Sequence, residues 1–504
     1  MFTQEYIQDL CSDSLSKAEE YIENSDWFNA EALLKQILKV DEENINAKKK
    51  LANVLTAQNK NEEAITLYES LLSSLPREYI LWNDVALAYS QIGDYDTAKN
   101  LLTECIELKP NLPLAYNNLA FQYIECEQVE KAEKTYQQAL KIIPESAELW
   151  YQYGAFLTDQ AEHEKAVKAY LTALKYQPSM ATAHYNLSLA YLTLGQYAKG
   201  FSEYEYRWQC NKSFREARDK FVSPGKKYWQ GESLKDKKIL VFNEQGVGDA
   251  FQFCRFLPKL KELGAKRVSF EVPADLINLF SCLKEVNLIQ YGTATDDDYD
   301  YYVSICSLPH LLLITEKSLT FCPYLKPTGN IPPEHFEKYA DQIKIGIVWA
   351  GNPAHRKDHL RSFSLNYFRP IHNLDKVKLF SLQKDVRPRF WPKAGTIDLT
   401  EDCDDLSVVD MRDVMLDWNY TAAIIEKMDL IITADSAVAH LAGAMNKTCW
   451  ILVPFVSDWR WALTKWYPSL RIFHQSKKND WLSVFEIVTN ELITLNYTGK
   501  IFLN

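Results

Sequence analysis

Along residues 45–214, large apolar, small and polar positions return with a constant period of 34 residues. Windows beginning at 45, 79, 113, 147 and 181 place Leu55, Tyr89, Tyr123, Leu157 and Tyr191 at the eleventh position. Ala64, Ala98, Ala132, Ala166 and Gly200 fall at the twentieth, and Tyr68, Leu102, Tyr136, Tyr170 and Tyr204 at the twenty-fourth. Pro76, Pro110, Pro144 and Pro178 close four of the windows. A weaker window starts at 11, with Tyr21, Ala30 and Leu34 in phase. The small residue lets two helices approach closely, the large ones fill the gap between them, and proline stops the second helix. The pattern predicts about six stacked helix pairs over residues 11–214.

After Arg207-Trp208 the period fails, and a linker is expected over 215–235, around Pro224-Gly225. Beyond it the text alternates between strand and helix. Strands are expected over 238–243, 267–272 and 300–305, with helices running to about 263 and over 275–283. A second cycle places strands at 345–350, 377–382, 429–433 and 448–453. Its helices are expected over 417–427, 435–444 and 481–495. Such βαβ alternation predicts parallel sheets with ligands at the strands' carboxyl ends. The expected architecture is an α-solenoid followed by two Rossmann-like doubly wound lobes, at 236–340 and 341–504.

The repeat positions match the tetratricopeptide pattern. The resemblance implies a superhelix whose concave face binds an extended peptide. The sixth position of each window, Asp84, Asn118, Gln152 and Asn186, is expected on that face. Side-chain amides there suit a peptide backbone, as well as plain solvation. The series resembles, imperfectly, the asparagine ladder of the protein O-GlcNAc transferases. In the second half, Glu244-Gln245-Gly246-Val247-Gly248-Asp249 resembles the first-lobe signature of bacterial tetratricopeptide glycosyltransferases related to heptosyltransferases. Trp349-Ala350-Gly351-Asn352-Pro353, Arg361-Ser362, Ser381-Leu382-Gln383, the run Asp435 to Ala444 and Asp458-Trp459-Arg460-Trp461 are similar to the second lobe of that group, glycosyltransferase family 9. The resemblance implies a GT-B fold, metal-independent chemistry and a nucleotide-sugar donor. The first lobe is short and lacks the nearby basic residues of lipopolysaccharide enzymes, which leaves the acceptor class open.

Glycosyl transfer needs a base for the acceptor hydroxyl and stabilisation for a departing diphosphate. Asp249, after two glycines on a strand-to-helix turn, is the expected base by resemblance; an Asp there also suits a helix N-cap. Gln245, Gly246 and Gly248 belong to the same turn. Asp435-Ser436-Ala437, opening a helix that carries His440, is expected to give a diphosphate free N–H groups and the positive helix end. Asp435 itself would cap that helix, since two anions repel. Gly351, Asn352, Arg361 and Ser362 follow the second lobe's first strand, in a basic loop able to neutralise the leaving group. Gln383 suits either base and ribose contact or capping of the core edge. Asp458, Arg460 and Trp461 suit a nucleotide or sugar ring, or packing between lobes.

No metal site is expected. His355 and His359 lack a third ligand, and Asp296-Asp297-Asp298, though formally a DxD pattern, reads as an acidic surface turn, as do Asp402, Asp404 and Asp405. No cofactor is expected beyond the sugar nucleotide. Charge sharpens the picture. Residues 1–210 hold 18 Lys and Arg against 31 Asp and Glu, and the remainder is near neutral. An acidic arm argues against nucleic acid and fits a neutral or basic polypeptide. Ten cysteines without a close-set pair read as reduced thiols in a cytoplasm. No apolar run reaches the roughly 18 residues that span a bilayer, and Met1 to Leu10 has no leader-like character. The sequence reading is therefore an inverting glycosyltransferase acting on a protein held by the repeats. A glycan-directed enzyme and a scaffold with an inactive lobe pair are its alternatives.

Overall fold

The computed structural model describes residues 4–319, 321–355, 357–384, 406–463 and 466–498, with side chains from 11 to 495 within those ranges. Asp402, Asp404, Asp405 and Arg356 lie outside the described residues. The chain divides into two compact units, one of residues 1–156 with 168–179 and the other of 157–167 with 180–504.

The first unit is built from helix pairs. First helices open at the window starts, as Ile45–Ala57, Tyr79–Gln91, Pro113–Glu125 and Ala147–Asp159. Their partners are Asn61–Ser74, Tyr95–Leu108, Val129–Ile142 and His163–Tyr176, although residues 157–167 of the last of these pairs belong to the second unit. The weaker window is a true pair, Gln4–Glu23 and Trp27–Val40, although its first helix starts upstream of residue 11. Ala30, Ala64, Ala98 and Ala132 are each 0% exposed, as close helix approach at the twentieth position requires. Tyr68 and Tyr136 fill the gaps and donate from their hydroxyls to Asn53 (2.6 Å) and Asn117 (2.9 Å). Trp82 and Trp150 donate their indole N–H to the carbonyls of Pro76 (3.0 Å) and Pro144 (2.8 Å), tying each pair to the turn before it.

The fifteenth position of every window carries a left-handed backbone: Ser25, Asn59, Gly93, Glu127, Ala161 and Gly195, with φ between 57° and 84°. The tight turn between paired helices imposes this conformation, which favours glycine and asparagine. Four windows fill it with other residues or asparagine, so the periodicity of side chains alone does not reveal it.

The second unit holds the last helix pair, Ala181–Thr193 and Tyr197–Tyr204, followed by two parallel sheets. Tyr197 packs on Trp466 (ring centroids 5.3 Å apart), and Phe201 meets Phe253, Trp459 and Trp466 edge-on. The last repeat is therefore part of the core that holds the sheets. The first sheet comprises β1 (Lys227–Tyr228), β2 (Lys238–Phe242), β3 (Arg267–Val272), β4 (Val286–Gln290) and β5 (Tyr301–Ser304), in the order β1-β5-β2-β3-β4. The second comprises β6 (Ile343–Val348), β7 (Val377–Ser381), β8 (Val409–Asp410), β9 (Leu430–Ala434), β10 (Cys449–Val453) and β11 (Leu470–His474), in the order β11-β10-β9-β6-β7-β8. All pairings within the two sheets are parallel among the described residues.

Both faces of each sheet are covered, which is why the inner strands read as unbroken apolar runs. Ile239, Val241, Val268 and Phe270 face one core, while Leu240, Phe242 and Tyr302 face Trp208 and Phe221. Ile345, Ile347, Leu430 and Ile432 pack against Phe363, Phe368, Trp481 and Phe485. The segment expected as a linker carries β1, paired with β5. β4, β8 and β11 were likewise not among the expected strands.

The turn chemistry yields a paired expectation. Glu127 is exposed, so Glu127→Gly should relieve backbone strain and raise stability by about 0.5–1 kcal/mol. Gly93→Ala should lower it by about 1 kcal/mol or more. Melting curves of the two variants beside the parent protein check the opposite signs.

Candidate functional site

The site assembles where strands end. Phe242, the last residue of β2, runs into the loop 243–246 and then the helix Val247–Phe253. Gly246 is the N-cap of that helix, with φ −69°, and Asp249 sits in its first turn. Asp249 is thus not the N-cap, which frees its carboxylate for another partner. Gly248 does not need its freedom for a turn. A Cβ there would lie 2.8 Å from His440 Cδ2, so the missing side chain lets this helix press against the helix Ala437–Ala444 that follows β9.

Asp249 accepts from Arg460, which stands in the short turn Trp459–Trp461 after β10. Arg460 also donates to Asp458 (2.9 Å) and, through Nε, to Gln252 (3.0 Å), with its guanidinium carbon 4.4 Å above the Trp459 ring. Burial pushes the Asp249 carboxyl above the ordinary carboxylate range, and the Arg460 charge pulls the other way without overcoming it. Asp458 caps its own turn by accepting the Arg460 backbone N–H (3.0 Å).

At the end of β9, Ser436 rather than Asp435 takes the N-cap position, and its hydroxyl pairs with Thr433 Oγ1 (2.8 Å) instead of capping the helix. Asp435 does not cap the helix. It accepts the Trp461 indole N–H (2.7 Å) and lies 3.6 Å from Arg361 Nη1. Burial raises its carboxyl, followed by the charge of Asp458. Trp461 is 1% exposed and 4.5 Å from the His440 ring, so it braces Asp435 and offers no open face to a sugar. His440 is buried, its Nδ1 is 3.0 Å from the Tyr467 hydroxyl, and desolvation holds the imidazole neutral, well below its usual pKa.

The loop after β6 supplies the second guanidinium. Arg361 donates from Nε to Asp358 (2.9 Å), whose other oxygen accepts from the Ser362 hydroxyl (3.0 Å). Gly351 donates its N–H to Ser362 Oγ (3.1 Å), and a Cβ on it would strike the Arg361 guanidinium. Gln383 uses its carbonyl oxygen on the Ala350 N–H (3.1 Å) at the core edge, which is the capping role of its two expected roles. Asn352 is exposed and accepts the Ala354 N–H (2.9 Å). Gln245 donates to the Tyr204 hydroxyl (2.8 Å) and to Glu244 (3.0 Å).

Asp249, Asp435, Ser436, Ala437, His440, Asp458, Arg460, Trp461 and the Gly351–Ser362 loop therefore belong to one neighbourhood, although they come from separate parts of the sequence. Two members were not foreseen. Asp358 was given no role from the sequence, where it falls within the basic loop after β6, yet it is 2% exposed. Gln252 lies inside an apolar helix, and its signal was a polar residue at a position whose neighbours are all buried.

The first-helix amides have partners of their own. Asn118 donates to Asn83 (2.8 Å) and Gln152 to Glu148 (2.6 Å). Asn186 is half-buried, and burial raises the Asp84 carboxyl. Asp296, Asp297 and Asp298 form a 3-10 turn in which Asp298 accepts from Thr295 and pairs with Arg267 (3.1 Å). Among the described residues, no group of three or more His, Cys, Asp or Glu side chains is arranged to hold a metal ion. Among them, too, no helix is long and apolar enough to cross a membrane.

Residues 21–84 and 91–152 match a family model described as tetratricopeptide repeat, and residues 157–195 match a second described as TPR repeat. The N-terminal part of the chain is accordingly a tetratricopeptide-repeat solenoid, and a region of parallel sheets follows it. Protein FlbA of Caulobacter vibrioides is 25% identical over 340 residues, a match covering 58% of this chain and 51% of that protein. The chain thus spans about half the length of this relative. Among solved structures, a thermophilic TPR protein of Thermus thermophilus is 17% identical and covers 36% of this chain and 99% of its own, with a TM-score of 0.32. The pilF protein of Pseudomonas aeruginosa is 16% identical over 40% of this chain and 91% of its own, also with a TM-score of 0.32.

Because Arg460 is the cation that restrains Asp249, Arg460→Gln should raise the Asp249 titration midpoint further. A carbon-13 carboxylate titration, assigned by loss of the signal in Asp249→Asn, checks the direction. A midpoint that falls or stays fixed would show that burial alone governs this group.

Proposed function

We propose that the chain is an inverting, metal-independent glycosyltransferase of GT-B type, with a nucleotide sugar as donor and a protein held by the repeats as acceptor. The observation that carries this reading is the convergence of Asp249 and the Ser436 helix start. A carboxylate at the end of β2 and an anion-suited helix terminus at the end of β9 share the Arg460 neighbourhood. The two sheets then serve as the two Rossmann-like lobes.

In the proposed reaction the acceptor hydroxyl oxygen attacks the anomeric carbon from the face opposite the leaving group. Asp249 takes the hydroxyl proton as the new C–O bond forms and the bond to the diphosphate breaks. The elevated carboxyl of Asp249 makes it a stronger base than an exposed aspartate. The departing nucleoside diphosphate carries the electron pair away. It is met by N–H groups at the start of the helix Ala437–Ala444 and by Arg361 and Arg460. Gly351, Ser362 and Asp358 hold Arg361 in place.

A second reading, a protein-interaction scaffold whose sheets do no chemistry, has one observation in its favour: Asp249 is already engaged by Arg460. A screen of nucleotide sugars separates the two. Donor-dependent turnover supports the enzyme, whereas binding of no nucleotide sugar and no nucleoside diphosphate supports the scaffold.

Asp249→Asn should lower transfer by about a hundredfold to ten-thousandfold while leaving donor affinity within a few-fold. Single-turnover assays beside donor-binding isotherms check this; retained transfer would remove Asp249 from the chemistry. For the repeats, Asn118→Ala with Gln152→Ala removes two amides from first helices of the first unit. Acceptor KM should rise by several-fold to about a hundredfold, with donor hydrolysis unchanged. If neither rate responds, the acceptor does not visit these amides.

A further inference from the structure

Arg207 follows the last repeat helix and is 0% exposed. All three of its nitrogens are engaged. Nε and Nη2 grip Glu244 at 2.6 and 3.0 Å, Nη1 donates to Glu205 (2.7 Å) and to the Tyr204 carbonyl (3.2 Å), and Nη2 also donates to Ser307 Oγ (2.6 Å). Its guanidinium carbon lies 4.1 Å from the Trp208 ring centroid and 4.9 Å from that of Tyr204. A bidentate fork on a carboxylate fixes orientation as well as distance.

Glu244, its side chain likewise 0% exposed, is the second residue after β2, inside the loop that leads to Asp249. The rest of that loop is tied to the same anchor. Gln245 bonds to Glu244 and to the Tyr204 hydroxyl, Asn243 donates to the Gln245 carbonyl (2.9 Å), and the Asp249 N–H bonds back to the Gly246 carbonyl (3.1 Å). We infer that Arg207 is a positioning residue for Asp249: through Glu244 it clamps the loop 243–246 and compensates a buried carboxylate beside the base. The inference rests on the proposed function for its kinetic consequence, but not for its geometry.

Among the described residues, three charged groups act most on Asp249. Arg460 and Asp458 come from the segment after β10, and Glu244 comes from its own loop. His440, on the helix facing Gly248, is neutral, and the buried Cys306 thiol is held well above its usual range. Glu244 is thus the carboxylate on the clamp side whose removal Asp249 should sense.

Two substitutions in the full chain divide the roles. Arg207→Lys keeps the cation and loses the fork, so kcat should fall by about tenfold to a hundredfold with donor KM within twofold. Glu244→Gln keeps the shape and loses the anion, so the Asp249 midpoint in the carbon-13 titration should move down, and the acid limb of the rate profile with it. An unchanged kcat in Arg207→Lys, a donor KM that rises in proportion to the loss of kcat, or an unmoved Asp249 midpoint in Glu244→Gln would overturn the inference. If Arg207→Lys fails to fold, the Glu244→Gln titration decides it. If no nucleotide sugar is turned over at all, the proposed function falls, and the same titration still accepts or rejects the clamp.

Discussion

The site depends on an absent methyl group. With no Cβ at residue 248, the helix Val247–Phe253 lies directly on His440 and the helix Ala437–Ala444. That contact brings the carboxyl end of β2 beside the carboxyl end of β9, so a carboxylate from one sheet meets the arginine and helix terminus of the other. Even alanine at 248 would force His440 to move, and His440 is fixed by Tyr467 and Trp461. Gly443 repeats the device one turn further along the same helix, where a Cβ would collide with the Tyr467 ring. Missing side chains thus admit close neighbours at two points of this helix, which accounts for part of its composition without invoking any ligand.

The charges around this contact are arranged in an unusual proportion. Asp249, Asp358, Asp435 and Asp458 surround two guanidiniums, Arg361 and Arg460. Among the described residues carboxylates outnumber cations here, and burial raises both Asp249 and Asp435. Each arginine is shared between two acids, so neither is committed to a single partner. An arriving anion would compete with carboxylates already in place, and an arginine that turns to it releases an acid. In such a site, the order in which groups are engaged follows from charge balance, without requiring the backbone to move.

Much of this was legible in the sequence, and what was not shares a physical cause. Every inner strand of both sheets was foreseen to within a residue or two, because burial on both faces leaves a continuous apolar run. The four strands that were missed, β1, β4, β8 and β11, are the four sheet edges. An edge strand is half wet, so its text carries polar residues and resembles a loop; β4 reads Val-Asn-Leu-Ile-Gln and β1 is two residues long. The repeats were legible because a packing role recurs at a fixed spacing. Within the site, the motifs picked out residues that the fold brings together, but their individual contacts were not legible. Asp435 was expected to cap and instead accepts from Trp461, whose burial agrees with the packing alternative of its two expected roles. Hydrogen-bond partners that come from distant segments leave no mark on local spacing.

The last repeat has a consequence for how such a chain can be recombined. Tyr197 and Phe201 are interior residues of the sheet-bearing unit, and Arg207 reaches Glu244 beside β2. A boundary drawn where the 34-residue period stops, near residue 214, would leave this helix pair on the wrong side and expose Trp466 and Trp459 to water. The sheet-bearing unit instead takes in the chain from residue 180 onward, together with residues 157–167 of the repeat before it. Exchange of repeats is therefore a matter for those that lie wholly in the first unit, whereas the final pair must travel with the sheets as their adaptor.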